Sequence, residues 1–207
     1  MNNMLRDLFQ RRAEAVSAVV AEVAGMDQAL DYAVDLCARK EACQLLAAGC
    51  GEPLSASATG LCGGKQAKVM AAPGLDPETW QALKGRCEPL GIMLSDRSLR
   101  EHLAGIDIGL TLAAWGIAET GTLVIDSSRE AVRLATMISE IHVAVLPASR
   151  LRRSADDLEP ELAAMMAGVG NYLAFITGPS RTADIERVLA IGVHGPLELH
   201  ILIMGEG

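Results

Sequence analysis

Ile106–Asp126 reads IDIGLTLAAWGIAETGTLVID. Ile106, Ile108, Leu110 and Leu112 recur at every second position, the period of a strand that buries one face. Gly116 and Gly121 punctuate the segment, and Thr122–Asp126 reads as a returning strand, so 106–126 is expected to form an antiparallel hairpin. Around it, short apolar runs alternate with helical patterns. Lys68–Ala72, Gly91–Ser95, Ile141–Leu146, Tyr172–Thr177 and Leu199–Met204 are strand candidates. Pro77–Gly85, Arg97–His102, a stretch capped by Ser127 or Ser128 and running to Ile138, Asp156–Val169 and Ala183–Leu189 are helix candidates. Strands alternating with helices define βαβ units. The expected fold class is therefore α/β, with a mostly parallel central sheet flanked by helices and the hairpin inserted in it.

Upstream, residues 4–23 carry Leu5, Leu8, Phe9, Val16, Val19, Val20 and Val23 at helical spacing and read as one amphipathic helix. Asp27 can cap a second helix over 28–48, closed by Gly49 and Gly51. This predicts an N-terminal helical appendage at 1–52 ahead of an α/β domain at 65–207. The appendage can pack on its own domain or on a partner chain, and the sequence leaves both open.

With 207 residues, half of them apolar, the chain can bury a sizeable core, and with only two Trp, two Tyr and two Phe that core is built from aliphatic side chains. The net charge of −8 argues against nucleic acid or an anionic membrane as partner, because phosphate affinity comes from clustered cations. Residues 1–12 hold no apolar signal core, and no run of about 18 apolar residues exists, so no membrane span and a cytoplasmic location are expected. Cys37, Cys43, Cys50, Cys62 and Cys87 have the irregular spacing of buried free thiols, not of a disulfide framework or a cluster-ligand set. No GxGxxG follows a strand and no HxxxH occurs, so no cofactor and no metal site is evident.

Three glycine-flanked loops can carry chemistry. In the first, Glu119, Thr120, Gly121 and Thr122 lie between apolar strands; partial desolvation would make Glu119 a base or nucleophile. The same pattern fits a hairpin loop with a solvated glutamate. In the second, Gly178, Ser180, Arg181, Thr182 and Asp184 follow a strand and open the expected helix, where backbone N–H groups and the Arg181 guanidinium can hold a carboxylate or phosphate. A well-capped turn reads identically. In the third, His194 sits between glycines (GVHGP) as an acid–base group or as a turn histidine bonded to a carbonyl. His102 is a weaker candidate, and His142 and His200 lie within strands and read as structural. Gly60–Lys65 is a weak phosphate-loop candidate, and Arg150, Arg152 and Arg153 read as a solvated helix start. The leading arrangement sets Glu119 and His194 as a catalytic pair across one cleft from the ligand-binding set Thr120, Gly121, Thr122, Gly178, Ser180, Arg181, Thr182 and Asp184.

Taken in order, DIGLTLAAWGIAETGTLVID (107–126), IHVAVLPASR (141–150), GPSRTADIE (178–186) and GVHGP (192–196) resemble the LUD-domain family. The resemblance implies a fold like that of CoA transferases and ribose-phosphate isomerases. It also implies a role in oxidation of L-lactate to pyruvate beside two iron–sulfur partner proteins. The chain lacks the cysteine-rich extension of the larger iron–sulfur relative, so an accessory or ligand-binding subunit is expected. One departure is Leu197, where related sequences carry a more polar residue. The resemblance assigns no catalytic residue, so the site above rests on the residues alone. A rival expectation is a stand-alone acyl/CoA-transferase-like or hydrolase-like enzyme using Glu119; a third is an interaction module docking through 4–23.

Overall fold

Val, Ile and Leu runs without alternating polar positions belong to strands buried on both faces, and such strands form parallel sheets covered by helices. The computed structural model, which describes residues 2–40, 68–95, 98–102, 105–168, 170–183, 189–191 and 195–205, has this architecture. In chain order the main elements are α1 (Asn2–Ala15), β1 (Val19–Val23), α2 (Met26–Arg39), β2 (Val69–Ala71), α3 (Pro77–Cys87), β3 (Met93–Leu94) and β4 (Ile106–Leu112). They continue with β5 (Trp115–Ile117), β6 (Thr122–Asp126), α4 (Glu130–Ile138), β7 (Ser139–Pro147), β8 (Leu151–Arg152) and α5 (Glu159–Met166). The last are β9 (Leu173–Ile176), β10 (Arg181–Ala183), β11 (Leu189–Ile191) and β12 (Glu198–Met204). A six-stranded sheet of order β1-β12-β7-β4-β2-β3 pairs in parallel throughout, which bears out the expected fold class. A four-stranded sheet, β8-β5-β6-β9, stands beside it.

One face of the central sheet packs Met70, Ile108 and Val143 against Leu30 and Val34 of α2 and Leu83 of α3. The other face packs Ala144, Leu146, Ile201 and Ile203 against Phe9 of α1 and Leu123 and Ile125 of β6. The four-stranded sheet is covered outside by α5, with Leu162 and Met165 on Trp115 and Val124. At the amino ends of the central strands, Lys40 Nζ donates to Asp107 at 2.8 Å and to Glu140 at 3.2 Å, while Asp107 accepts the Val69 amide at 2.7 Å. Asp107 is fully buried, so this ion cluster ties the end of α2 to β2, β4 and β7 where desolvation makes a missing partner costly.

Several element readings need correction. The stretch 4–23 is not one helix: α1 ends at Ala15, Ser17 takes a left-handed conformation (φ +69°), and Val19–Val23 forms β1 against β12. The valines fit both periods, and their β-branched side chains favour the strand once a sheet edge is on offer. The segment thus reaches the central sheet through β1, and α2 lies in its core; the boundary expected between 52 and 65 falls outside the described residues. The 106–126 hairpin is likewise divided. β4 is buried on both faces and lies in the central parallel sheet, whereas the hairpin partner of β6 is β5. The chain changes sheet at Ala113–Ala114: the Ala113 amide bonds Val145 O and the Ala114 amide bonds Val124 O, both at 2.8 Å. Neither Ser127 nor Ser128 caps α4, whose N-cap is Arg129 without a side-chain bond. Arg181–Ala183 and Leu189–Ile191 pair as antiparallel strands, so the two end residues of the helix expected over Ala183–Leu189 are in strands, and residues 184–188 of it lie outside the described residues.

Cys37 and Cys87 are fully buried and free. Burial pushes their thiols up to about 12 and about 11. Alkylation of both in the native protein at pH 8 should therefore run more than about a hundredfold slower than in urea-unfolded protein, because the thiolate is the nucleophile. Peptide mass spectrometry checks this; equal labelling in both states would contradict the burial. Cys43, Cys50, Cys62 and the Gly60–Lys65 loop lie outside the described residues.

Candidate functional site

β9 runs into Thr177-Gly178-Pro179-Ser180, where Gly178 takes φ +75°, a conformation that favours glycine. The Ser180 amide bonds Pro196 O at 3.0 Å, and the Leu197 amide bonds Glu140 O at 2.8 Å. These bonds hold the 178–180 and 195–197 segments together beside β7. Between them, α4 and the first half of β12 lies a cavity of about 360 Å³. It sits against the amino-terminal halves of β7 and β12, not at the carboxyl ends of strands where ligands of open α/β sheets usually bind.

Its polar lining is sparse. Ser127 is fully buried, lines the cavity, and its Oγ has no hydrogen-bond partner. Arg133, half-buried, donates from Nη1 to Ser127 O at 2.5 Å and to Ser128 O at 2.9 Å. Arg133 is the one cation among the described residues lining the cavity, and no carboxylate is among them. In a chain of net charge −8 that is a local reversal of sign. His142 forms part of the floor; its Nε2 shares a 2.8 Å hydrogen bond with Thr111 Oγ1. Burial lowers its pKa to about 4, so the ring is neutral near pH 7. Neutral imidazole can meet either a donor or an acceptor through its choice of tautomer. Thr136, Thr177 and Ser180 add hydroxyl-bearing side chains, the rest of the wall is mostly apolar, and Tyr172, Phe175 and Met137 at the cavity are each more than half exposed.

The expected site residues are placed as follows. Gly178 and Ser180 line the cavity, joined by Thr177. Thr122 Oγ1 donates to Thr120 Oγ1 at 2.7 Å and lies 2.8 Å from Thr177 Oγ1. A hydroxyl has one proton, so Thr177 donates to Thr122, and this chain links the first loop to the cavity wall. Gly121 (φ +66°) faces the end of α1: a Cβ there would meet the Ala13 amide nitrogen at 2.3 Å. Glu119 is exposed on the β5–β6 turn and is not among the residues lining the cavity. Arg181 and Thr182 lie on β10, directly after Ser180. Asp184 and His194 lie outside the described residues.

Sequence reading overlooked Ser127, Arg133, Thr136 and Phe175 as lining groups and read His142 as structural, whereas Thr177 opens the second loop it singled out. The available signal was the unspent Ser127: Ser128 accepts the Tyr172 amide, whereas the Ser127 hydroxyl serves neither cap nor turn. Arg150 and Arg152 do not open a helix. Both guanidinium groups lie over Trp115, at 4.7 and 4.4 Å from the ring centre, beside a second, largely apolar cleft of about 530 Å³ at the carboxyl ends of β4, β7 and β12. Among the described residues no helix is long and apolar enough to cross a membrane.

These features define a parallel α/β protein with a ligand-sized cavity of reversed charge. A family model for the LUD domain matches residues 6–204, and the chain belongs to the LUD-domain family, as its motifs led one to expect. It is similar to lactate utilization protein C of Halalkalibacterium halodurans (35% identical over 109 residues, 51% of this chain and 47% of that protein). It is also similar to lactate utilization protein C of Bacillus subtilis (31% over 104 residues, 48% and 43%). An uncharacterized protein of Neisseria meningitidis is 35% identical over 102 residues (49% and 44%). The chain thus spans about half the length of these relatives. The crystal structure of a DUF162 family protein from Deinococcus radiodurans aligns with a TM-score of 0.57 and 18% identity over 99% of both chains, which supports the fold.

Proposed function

We propose that this chain is an anion-binding, accessory component of a cytoplasmic lactate-utilization system, and that the cavity beside Ser180 is where it binds a small carboxylate or phosphorylated ligand. The carrying observation is the sign of the cavity: among the described residues Arg133 lines it and no carboxylate does, in a chain of net charge −8. Names of the similar proteins place them in lactate utilization. Arg133 supplies the fixed positive charge, and its bonds to two backbone carbonyls hold the guanidinium in place at no cost when a ligand arrives. Arg181, one residue past the cavity wall, is a second anion-binding candidate. Oxidation of L-lactate to pyruvate releases an electron pair and two protons; iron–sulfur partner proteins take the electrons in this reading, and the present chain holds or presents the acid.

Calorimetric titration with L-lactate, pyruvate and a phosphate monoester tests this. Arg133→Gln should weaken the best of them by about tenfold or more, the loss expected when a charge-assisted hydrogen bond is removed, and Arg181→Ala should weaken it further. Binding that ignores both substitutions, or no binding by any of the three, would overturn the reading.

A further inference from the structure

We infer that the acid this cavity accepts carries an apolar side chain bulkier than the methyl group of lactate, with its carboxylate at Ser127 and Arg133 and its side chain along Ala174, Ile176 and Leu199. The inference rests on the cavity being the ligand site, as proposed above, and names the class of acid.

Three observations carry it. The first is size. About 360 Å³ lies in the range of pockets that enclose drug-sized ligands. A three-carbon acid would leave most of that space to water, and water against an apolar wall lacks the two to four polar partners that hold it in place. The second is the orphaned Ser127 hydroxyl. It is fully buried, has no partner within the protein and lines the cavity, and buried polar groups are almost always satisfied. A carboxylate bound at Arg133 would satisfy it, because the guanidinium is anchored on the Ser127 carbonyl itself. The third is the division of the lining. Ser127, Arg133, Thr136 and His142 come from the segment between β6 and α4, from α4 and from β7, and Thr177 and Ser180 add two hydroxyls just past β9. Ala174, Phe175 and Ile176 come from β9, and Leu199 from β12. The one charged group stands at one end, and the strip formed by Ala174, Phe175, Ile176 and Leu199 offers a surface for a hydrocarbon or aromatic body, with Phe175 at 52% and Tyr172 at 56% exposure left for the ligand to cover.

The test is calorimetric titration of the full chain with L-lactate, L-2-hydroxyisocaproate and L-phenyllactate. The two larger acids should bind at least about tenfold tighter than lactate, the discrimination that even one methylene gives in an apolar pocket. Ser127→Ala should weaken all three by about tenfold while preserving their order. Ala174→Leu, which fills the wall away from the head group, should narrow the ratio between phenyllactate and lactate; its thermal midpoint shows whether it folds. Lactate binding as tightly as the larger acids would overturn this inference and leave the anion site standing. Failure of every acid to bind would overturn both. An unchanged affinity in a folded Ser127→Ala would overturn the placement of the carboxylate.

Discussion

Substituting Gly121 by alanine is expected to cost about 3–5 kcal/mol of folding stability, near the upper end of single-residue effects. Two causes add. Gly121 has φ +66°, and a side chain in that region costs roughly 1–2 kcal/mol. The new Cβ would stand 2.3 Å from the Ala13 amide nitrogen and 2.6 Å from the Arg12 carbonyl carbon, both backbone atoms that cannot rotate away. The end of α1 would have to lift, disturbing Phe9 and Ala13 in the core between the sheets. Urea unfolding followed by circular dichroism measures the loss; a change below about 1 kcal/mol would show that α1 is not seated on this turn. The same geometry changes how the AETGT segment is understood. Gly121 there permits contact between two parts of the chain, so a loss of ligand binding in Gly121→Ala would report on folding before it reported on the site.

His142 should impose a distinct acid limb on stability. Its folded pKa is depressed by burial from 6.5 to about 4. Between those values the unfolded chain takes up a proton that the folded chain refuses, so stability rises with pH across the window and falls as acid is added. The full contribution is present above pH 6.5, is lost progressively down to about pH 4, and levels off below, amounting to about 3 kcal/mol. Comparing wild type with His142→Gln by urea unfolding at intervals from pH 7.5 to 4 isolates this from the titration of carboxylates common to both. The variant's curve should be flatter by about that amount. Parallel curves would mean that the ring is hydrated and protonates freely in the native state.

The central strands were legible because a strand covered on both faces is apolar almost throughout: Ile141–Leu146 and Leu199–Met204 stand out although each carries one histidine, His142 and His200. The valines of 16–23 were ambiguous, since positions 16, 19, 20 and 23 satisfy a helix stripe while the sheet edge that recruits them lies some 180 residues away at His200. Likewise, nothing local says that β6 pairs with a three-residue strand at Trp115 and not with the longer run at Ile106. The second loop was legible in part, as Gly178 and Ser180 lie where the cavity is. Arg133 was not, because in sequence it is one more polar position on an amphipathic helix. Its significance comes from its place on a cavity whose described lining holds no carboxylate, and that is a property of four segments brought together from across the chain.

The passage of the chain from one sheet to the other has a mechanical consequence. Two residues join β4 to β5, and one short turn at Ala148–Arg150 joins β7 to β8, with the Ala113 and Ala114 amides each committed to a different sheet. Connections so brief and so fully bonded fix the two layers to each other along this edge. The cleft lined by Ala113, Ala114 and Arg150 along that edge is therefore cast when the protein folds, as a mould is.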